Sequence, residues 1–236
     1  MTRSRSTTGW IIAGSLALGI VAVVTVLVTA PVPSGTAPVS TPVSTQVFAD
    51  GPTVAFYGDS YTLGTGASDP ARRWSTVIST ERGWNEVNPS VNGLGFVNNR
   101  DRQSGPDLVD QIIAADPDIV LITMGLNDNF SMPARADDVR KAITADFDAL
   151  RGSLPDARIV AVEPFWYTDA RPDSLNQISG WVRAAAETID ADHISGASSW
   201  IAGHPEWMAA DGLHPNDAGY AAMTARMDEE LTALGL

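Results

Sequence analysis

The sequence predicts an α/β domain in which a parallel sheet is covered by helices on both faces. Short apolar, β-prone runs alternate with stretches of helical spacing from residue 51 to the C-terminus. The run at 118–124, Asp-Ile-Val-Leu-Ile-Thr-Met, is almost continuously apolar, as a strand buried on both faces must be. No internal repeat interrupts the alternation.

Each element has its own local reason. Residues 53–57, Thr-Val-Ala-Phe-Tyr, follow Gly51-Pro52 and are closed by Gly58, which marks a first strand. Residues 72–81 read as a helix, and 86–91 as a weaker strand interrupted by Pro89. A helix over 105–115 places Leu108, Ile112 and Ile113 on one face. The strand at 118–124 follows, then an amphipathic helix over 136–150 and a buried-type strand at 158–162. Residues 174–189 have helical spacing, and 193–195 form a last short strand. Asn216 is placed to cap a final helix ending near Leu234, because Pro215 cannot lie inside one.

The N-terminal fifth is different. Residues 10–30 carry no charge over 21 positions, about 31 Å of helix at a rise of about 1.5 Å, which matches a bilayer core of about 30 Å. Arg3 and Arg5 precede the run, so residues 1–9 are expected in the cytoplasm and everything beyond Ala30 outside. A cleaved secretory signal has a shorter apolar core, and Pro31 is a poor residue just past a cleavage point. A retained transmembrane signal anchor at 10–30 is therefore expected, giving a single-pass cell-membrane protein; cleavage would make it secreted. Residues 31–50, rich in Pro, Ser, Thr and Val, read as an extended linker. Residues 51–236 form the folded domain, long enough for one sizeable core.

Setting aside Arg3, Arg5 and Asp50, the domain keeps 13 basic and 27 acidic residues, a formal charge of −14. That excludes the basic footprint of a nucleic-acid binder and adsorption to anionic lipid headgroups. With no cysteine there is no disulfide, no thiolate metal site and no cysteine nucleophile. Three dispersed histidines are too few for a multi-ligand metal centre, so no metal is expected. Neither a Walker loop nor a dinucleotide fingerprint is present, and there is no Gly-x-Ser-x-Gly elbow.

Four short motifs carry chemistry: Gly58-Asp59-Ser60, Asn92-Gly93-Leu94-Gly95, Gly125-Leu126-Asn127-Asp128 and Asp211-Gly212-Leu213-His214. The first three follow the first three strands and the fourth precedes the last helix. In open parallel sheets these positions lie at the carboxyl edge, where ligands bind. A serine hydroxyl needs a base, and His214 is the candidate. Asp211, three residues earlier, can reach Nδ1 and fix the tautomer. The backbone N–H groups of Ser60 and Gly95 and the side-chain amide of Asn127 are candidate oxyanion donors, with Gly93 the alternative to Gly95. Asp59 and Asp128 are read as supports of these loops. Taken singly, Ser60 reads as a helix cap and Asp211-Gly212 as a turn; the joint occurrence supports chemistry.

These residues resemble the SGNH hydrolase superfamily, or GDSL-like lipases and acylhydrolases. Ser60, Gly95 or Gly93, Asn127, and Asp211 with His214 stand at the family's four blocks. The resemblance spans about residues 54–220. It implies a flavodoxin-like three-layer α/β/α sandwich and a serine esterase that works through an acyl-enzyme without a cofactor. Tyr61 stands where the family has leucine, and its ring is expected beside the nucleophile, tuning the pocket. Phe96, Trp166, Tyr167 and Trp207 are candidates to line an acyl or sugar pocket, with core packing the competing reading. Two other functions remain open from sequence: an O-acyltransferase acting on a cell-envelope sugar or lipid hydroxyl, and a catalytically silent glycan-binding domain.

Overall fold

A computed structural model describes residues 47–236. The expected anchor at 10–30 and most of the linker lie outside the described residues. Among the described residues no helix is long and apolar enough to cross a membrane. The described chain is tied down from Phe48 onward, whose N–H donates to Asn85 Oδ1 at 2.8 Å and whose carbonyl accepts from Asn85 Nδ2.

Among the described residues, five strands form one parallel sheet: β1 Thr53–Tyr57, β2 Asn85–Val87, β3 Ile119–Ile122, β4 Arg158–Val162 and β5 Asp192–Ile194. Their order is β2-β1-β3-β4-β5, the flavodoxin-like doubly wound order. Register is set by pairs such as Ala55 with Val87 and Phe56 with Leu121. Alternation along β1 explains the layers. Ala55 and Tyr57 point to a core shared with α3 Leu108–Ala114, α4 Ala136–Ser153 and α5 Asp173–Thr188. Val54 and Phe56 point to a second core shared with α2 Trp74–Arg82 and α6 Asp217–Ala233. Both faces of the sheet are thus covered, which is why β3 is buried at every position.

The differences from expectation have local causes. The strand expected over 86–91 ends at Val87, two residues before Pro89, which cannot donate to a ladder. The helix expected from Arg72 begins at Trp74, because Asp69 caps a short 3-10 turn at Pro70–Arg72 through its bond to Ala71 N–H. The chain between β1 and α2 also forms a one-turn helix that periodicity did not show, α1 Ser60–Leu63. Asn216 does cap α6, accepting from Ala218 and Gly219 N–H at 2.9 and 3.1 Å.

Candidate active site

β1 delivers Ser60 to the carboxyl edge of the sheet. Gly58 turns the chain there, and a Cβ at this position would sit 2.5 Å from the Thr62 and Thr123 side chains. Asp59 then caps α1, its Oδ1 accepting from Tyr61 N–H at 3.0 Å. Ser60 is the first residue of α1 and is only 5% exposed. Because Asp59 makes the cap, the Ser60 hydroxyl is free of that duty, and it makes no hydrogen bond among the described residues. Its backbone N–H, at a helix N-terminus, likewise has no acceptor there.

His214 and Asp211 come from the loop ahead of α6. His214 Nδ1 lies 2.7 Å from Asp211 Oδ2. The other carboxylate oxygen accepts from Leu213 and His214 N–H at 2.9 and 3.0 Å, so one side chain both shapes the loop and orients the ring. The loop is held inward by Tyr61, whose hydroxyl donates to Leu213 carbonyl at 2.6 Å. The Tyr61 and His214 ring centres are 6.0 Å apart. No direct hydrogen bond joins Ser60 to His214. Tyr61 is fully buried rather than lining a pocket beside the nucleophile, which corrects the sequence expectation: its hydroxyl is spent on the Leu213 carbonyl and its ring stacks on Phe165.

Because β1 lies between β2 and β3, the first three motifs sit side by side. Asn127 Nδ2 donates to Leu94 carbonyl at 2.9 Å and to Asp59 Oδ2 at 3.1 Å, linking all three. Asp128 is fully buried and receives the N–H groups of Phe96, Val97 and Asn98 at 2.7, 2.8 and 3.1 Å. A Cβ on Gly95 would lie 2.5 Å from that carboxylate. Of the two candidate oxyanion glycines, Gly95 gives its N–H to Asn98 carbonyl at 2.9 Å. Gly93 takes φ +70°, and its N–H has no acceptor among the described residues.

A second network that sequence reading missed braces this loop from below. Arg100 donates to both oxygens of Asp146 at 2.7 and 2.9 Å, to Asp107, and to Phe96 carbonyl at 3.1 Å. Tyr57 hydroxyl, at the end of β1, also donates to Asp146 at 2.6 Å. Nothing in residue spacing announces a contact between positions 46 apart.

The carboxylates of the site differ in charge state because their surroundings differ. Asp211 is held low, at about 2, chiefly by its bond to the His214 ring and then by the two loop N–H groups. Burial pushes Asp59 up to about 7, against the opposing bonds from Tyr61 and Asn127. Burial likewise raises Asp146 despite Arg100. A carboxyl whose folded pKa exceeds its unfolded value stabilises the fold fully below the unfolded pKa and loses that contribution as pH rises through the folded one. Asp59 alone can thereby remove up to about 4 kcal/mol between about pH 4 and 7. The domain is expected to be more stable at pH 5 than at pH 8, and Asp59→Asn to flatten that slope. Denaturant midpoints at the two pH values check this; a midpoint higher at pH 8 would contradict it.

Beside the histidine loop lies a cavity of about 420 Å³ lined by Tyr167, Asp169, Ile201, His204, Met208 and Gly212, among others. Of the four aromatic residues proposed as pocket walls, only Tyr167 lines it. Phe96 and Trp166 are buried in the two cores. Trp207 is covered by the His204 ring at 3.6 Å. Among the described residues, no group of three His, Asp or Glu side chains converges as a metal site.

With this geometry described, comparison with known proteins adds the following. The sequence matches the GDSL-like lipase/acylhydrolase family over residues 56–222. It is 27% identical over 184 residues to a GDSL lipase of Mycobacterium tuberculosis, which covers 71% of this chain and 76% of that protein. Among solved structures it is similar to the psychrotrophic esterase EstA from Pseudoalteromonas, with a TM-score of 0.62 at 18% identity over 78% of this chain and 98% of that one. TesA gives 0.64 at 20% identity, over 77% and 99%. An acetyl-xylooligosaccharide esterase from Geobacillus gives 0.58 at 18% identity, over 78% and 96%. At such identities the structural likeness is one of fold.

Proposed function

The chain belongs to the GDSL-like lipase/acylhydrolase family, and we propose that it cleaves carboxylic esters through an acyl-enzyme formed on Ser60. His214 takes the Ser60 proton as the hydroxyl attacks the ester carbonyl, then gives it to the leaving alcohol; water reverses the sequence to release the acid. Asp211 holds the ring with its proton on Nδ1, leaving Nε2 to act. The observation that carries this reading is the 2.7 Å Asp211–His214 bond on a loop tied to the residue next to a serine whose hydroxyl bonds no described residue.

The oxyanion is met by the N–H groups of Ser60 and Gly93, both without an acceptor among the described residues. Asn127 is the third donor, lending the N–H now turned to Asp59 at 3.1 Å. Loss of one such donor costs about 10²–10³ in kcat, so Asn127→Ala should slow turnover by that factor with KM little changed. Wild-type kinetics in that variant would remove Asn127 from the reaction. Gly95→Ala, by contrast, should act on folding, because its methyl meets the Asp128 carboxylate.

The cavity at Tyr167 and Gly212 is the place for part of the ester, and its mixed lining leaves room for a hydroxylated or an apolar group. Residues 10–30 would hold the domain at the outer face of the membrane, with 31–50 as tether; partition of the full chain into detergent extracts and its accessibility to external protease test that topology. The activity itself is tested with p-nitrophenyl acetate and octanoate and no added acceptor. Hydrolysis, together with labelling of the Ser60 peptide by a serine-directed phosphonate, is the expected result. Labelling with no hydrolysis unless a sugar or lipid hydroxyl is supplied would indicate an acyltransferase, and neither result in a folded protein would overturn the reading.

A further inference from the structure

We propose that Tyr61 is a positioning residue that sets the spacing of His214 from Ser60, so that its hydroxyl supports the chemical step and not substrate binding. The inference rests on the serine-esterase reading. Ser60 and His214 are far apart in the chain, so only packing fixes one relative to the other. The histidine loop is weakly enclosed on its outer side: Asp211 and Gly212 are exposed, and the Asp211 side chain is half-exposed. Within the loop, Ala209 N–H bonds His214 carbonyl at 2.7 Å, which holds its shape but not its place. The hydrogen bond that reaches from this loop to the nucleophile turn is Tyr61 hydroxyl to Leu213 carbonyl.

Tyr61 is built as a rigid strut. Its N–H bonds Asp59 at 3.0 Å and its carbonyl accepts from Trp74 Nε1 at 3.1 Å. The ring is fully buried and lies nearly parallel to Phe165, with centres 5.8 Å apart. Every polar group of the residue is engaged, and the backbone fixed this way is the one that carries Ser60. A few residues on, Gly66 touches the loop so closely that a Cβ would lie 2.4 Å from Pro215 carbonyl and 3.1 Å from His214 Cβ. The loop is thus tied to Tyr61 by a hydrogen bond and packed closely against Gly66. Leucine, the family's residue at this position, has no donor for the Leu213 carbonyl, so the tie is particular to a chain with tyrosine here. A misplacement of about 1 Å between reacting groups costs about 10²-fold in rate.

The test uses the full chain with Tyr61→Phe, rates being expressed per active site titrated with a serine-directed fluorophosphonate. The expected result is a kcat lower by about 10–100-fold, with KM for p-nitrophenyl acetate within about twofold and phosphonylation slowed by the same factor as kcat. Tyr220→Phe is the comparison: it also deletes one tyrosine hydroxyl bonded to a carbonyl, that of Thr65 at 2.8 Å, and should keep its rate per site. Wild-type kcat per site in Tyr61→Phe, a rise in KM alone, or equal losses in both variants would each overturn the proposal. Should Tyr61→Phe not fold, Gly66→Ala, strained at φ +95° and with its methyl against the Pro215 carbonyl, displaces the histidine loop by another route and should show the same loss in kcat; an unchanged kcat there would overturn the proposal too. None of these outcomes touches the esterase reading, which fails if ester turnover survives removal of the Ser60 hydroxyl or if the folded wild type neither hydrolyses the esters nor takes the phosphonate label.

Discussion

Ser60→Ala is expected to lower kcat for ester hydrolysis by about 10⁴–10⁶-fold while leaving the fold in place. The size follows from how such residues act as a unit: without the nucleophile, base and orienter have nothing to activate, and only binding and oxyanion donors remain. The harmlessness to folding follows from this structure. The side chain that caps α1 belongs to Asp59, and the Ser60 hydroxyl bonds no described residue, so alanine removes one oxygen and leaves no partner unsatisfied. An unfolding free energy within about 0.5 kcal/mol of wild type is the scale for such a change. Parallel urea titrations and single-turnover assays separate the two effects. A variant that loses stability as much as activity would return Ser60 to the structural role its sequence context also allows.

What could be read in advance depended on range. β1, β3 and β4 declared themselves because their neighbours in space impose an apolar run on the chain itself, and Asn216 because a cap acts two and three residues away. Asp211 and His214 were legible for the same reason, the pairing being closed within one loop. The choice between Gly93 and Gly95 was not. It turns on whether an N–H is already spent, and that depends on the loop folding back so that Asn98 accepts from Gly95 while Asp128 gathers the next three N–H groups. Tyr61 was visible as a departure from the family block, yet its partner is 152 residues away. A phenol beside a nucleophile suggests a pocket wall until the partner carbonyl is seen. The same limit hid Arg100, whose bonds to Asp107, Asp146 and Phe96 make sense only once α4 is packed against the sheet.

Asp211→Asn should be the second most damaging change, lowering kcat by between about 10² and 10⁴. The amide keeps an oxygen where Asp211 Oδ1 now accepts from Leu213 and His214 N–H, so the loop has reason to hold its shape. At the Oδ2 position, however, it presents a donor to Nδ1. The ring answers by carrying its proton on Nε2, the nitrogen that must accept the Ser60 proton, and the base is disabled without being moved. The fall is the full 10⁴ where such an aspartate is buried; here the side chain is half-exposed, and water can soften both the tautomer preference and the loss of charge beside the imidazolium. Charge and position separate on pH. Asp211 stays ionised down to about 2, so the wild-type acid limb belongs to other groups, and the asparagine variant should be slow across the whole range instead of recovering at high pH. Nitrogen-15 shifts of His214 would show the proton leaving Nδ1 for Nε2. If the variant kept its rate with the proton still on Nδ1, Asp211 would be a loop residue only and the orienting role would have to be sought elsewhere.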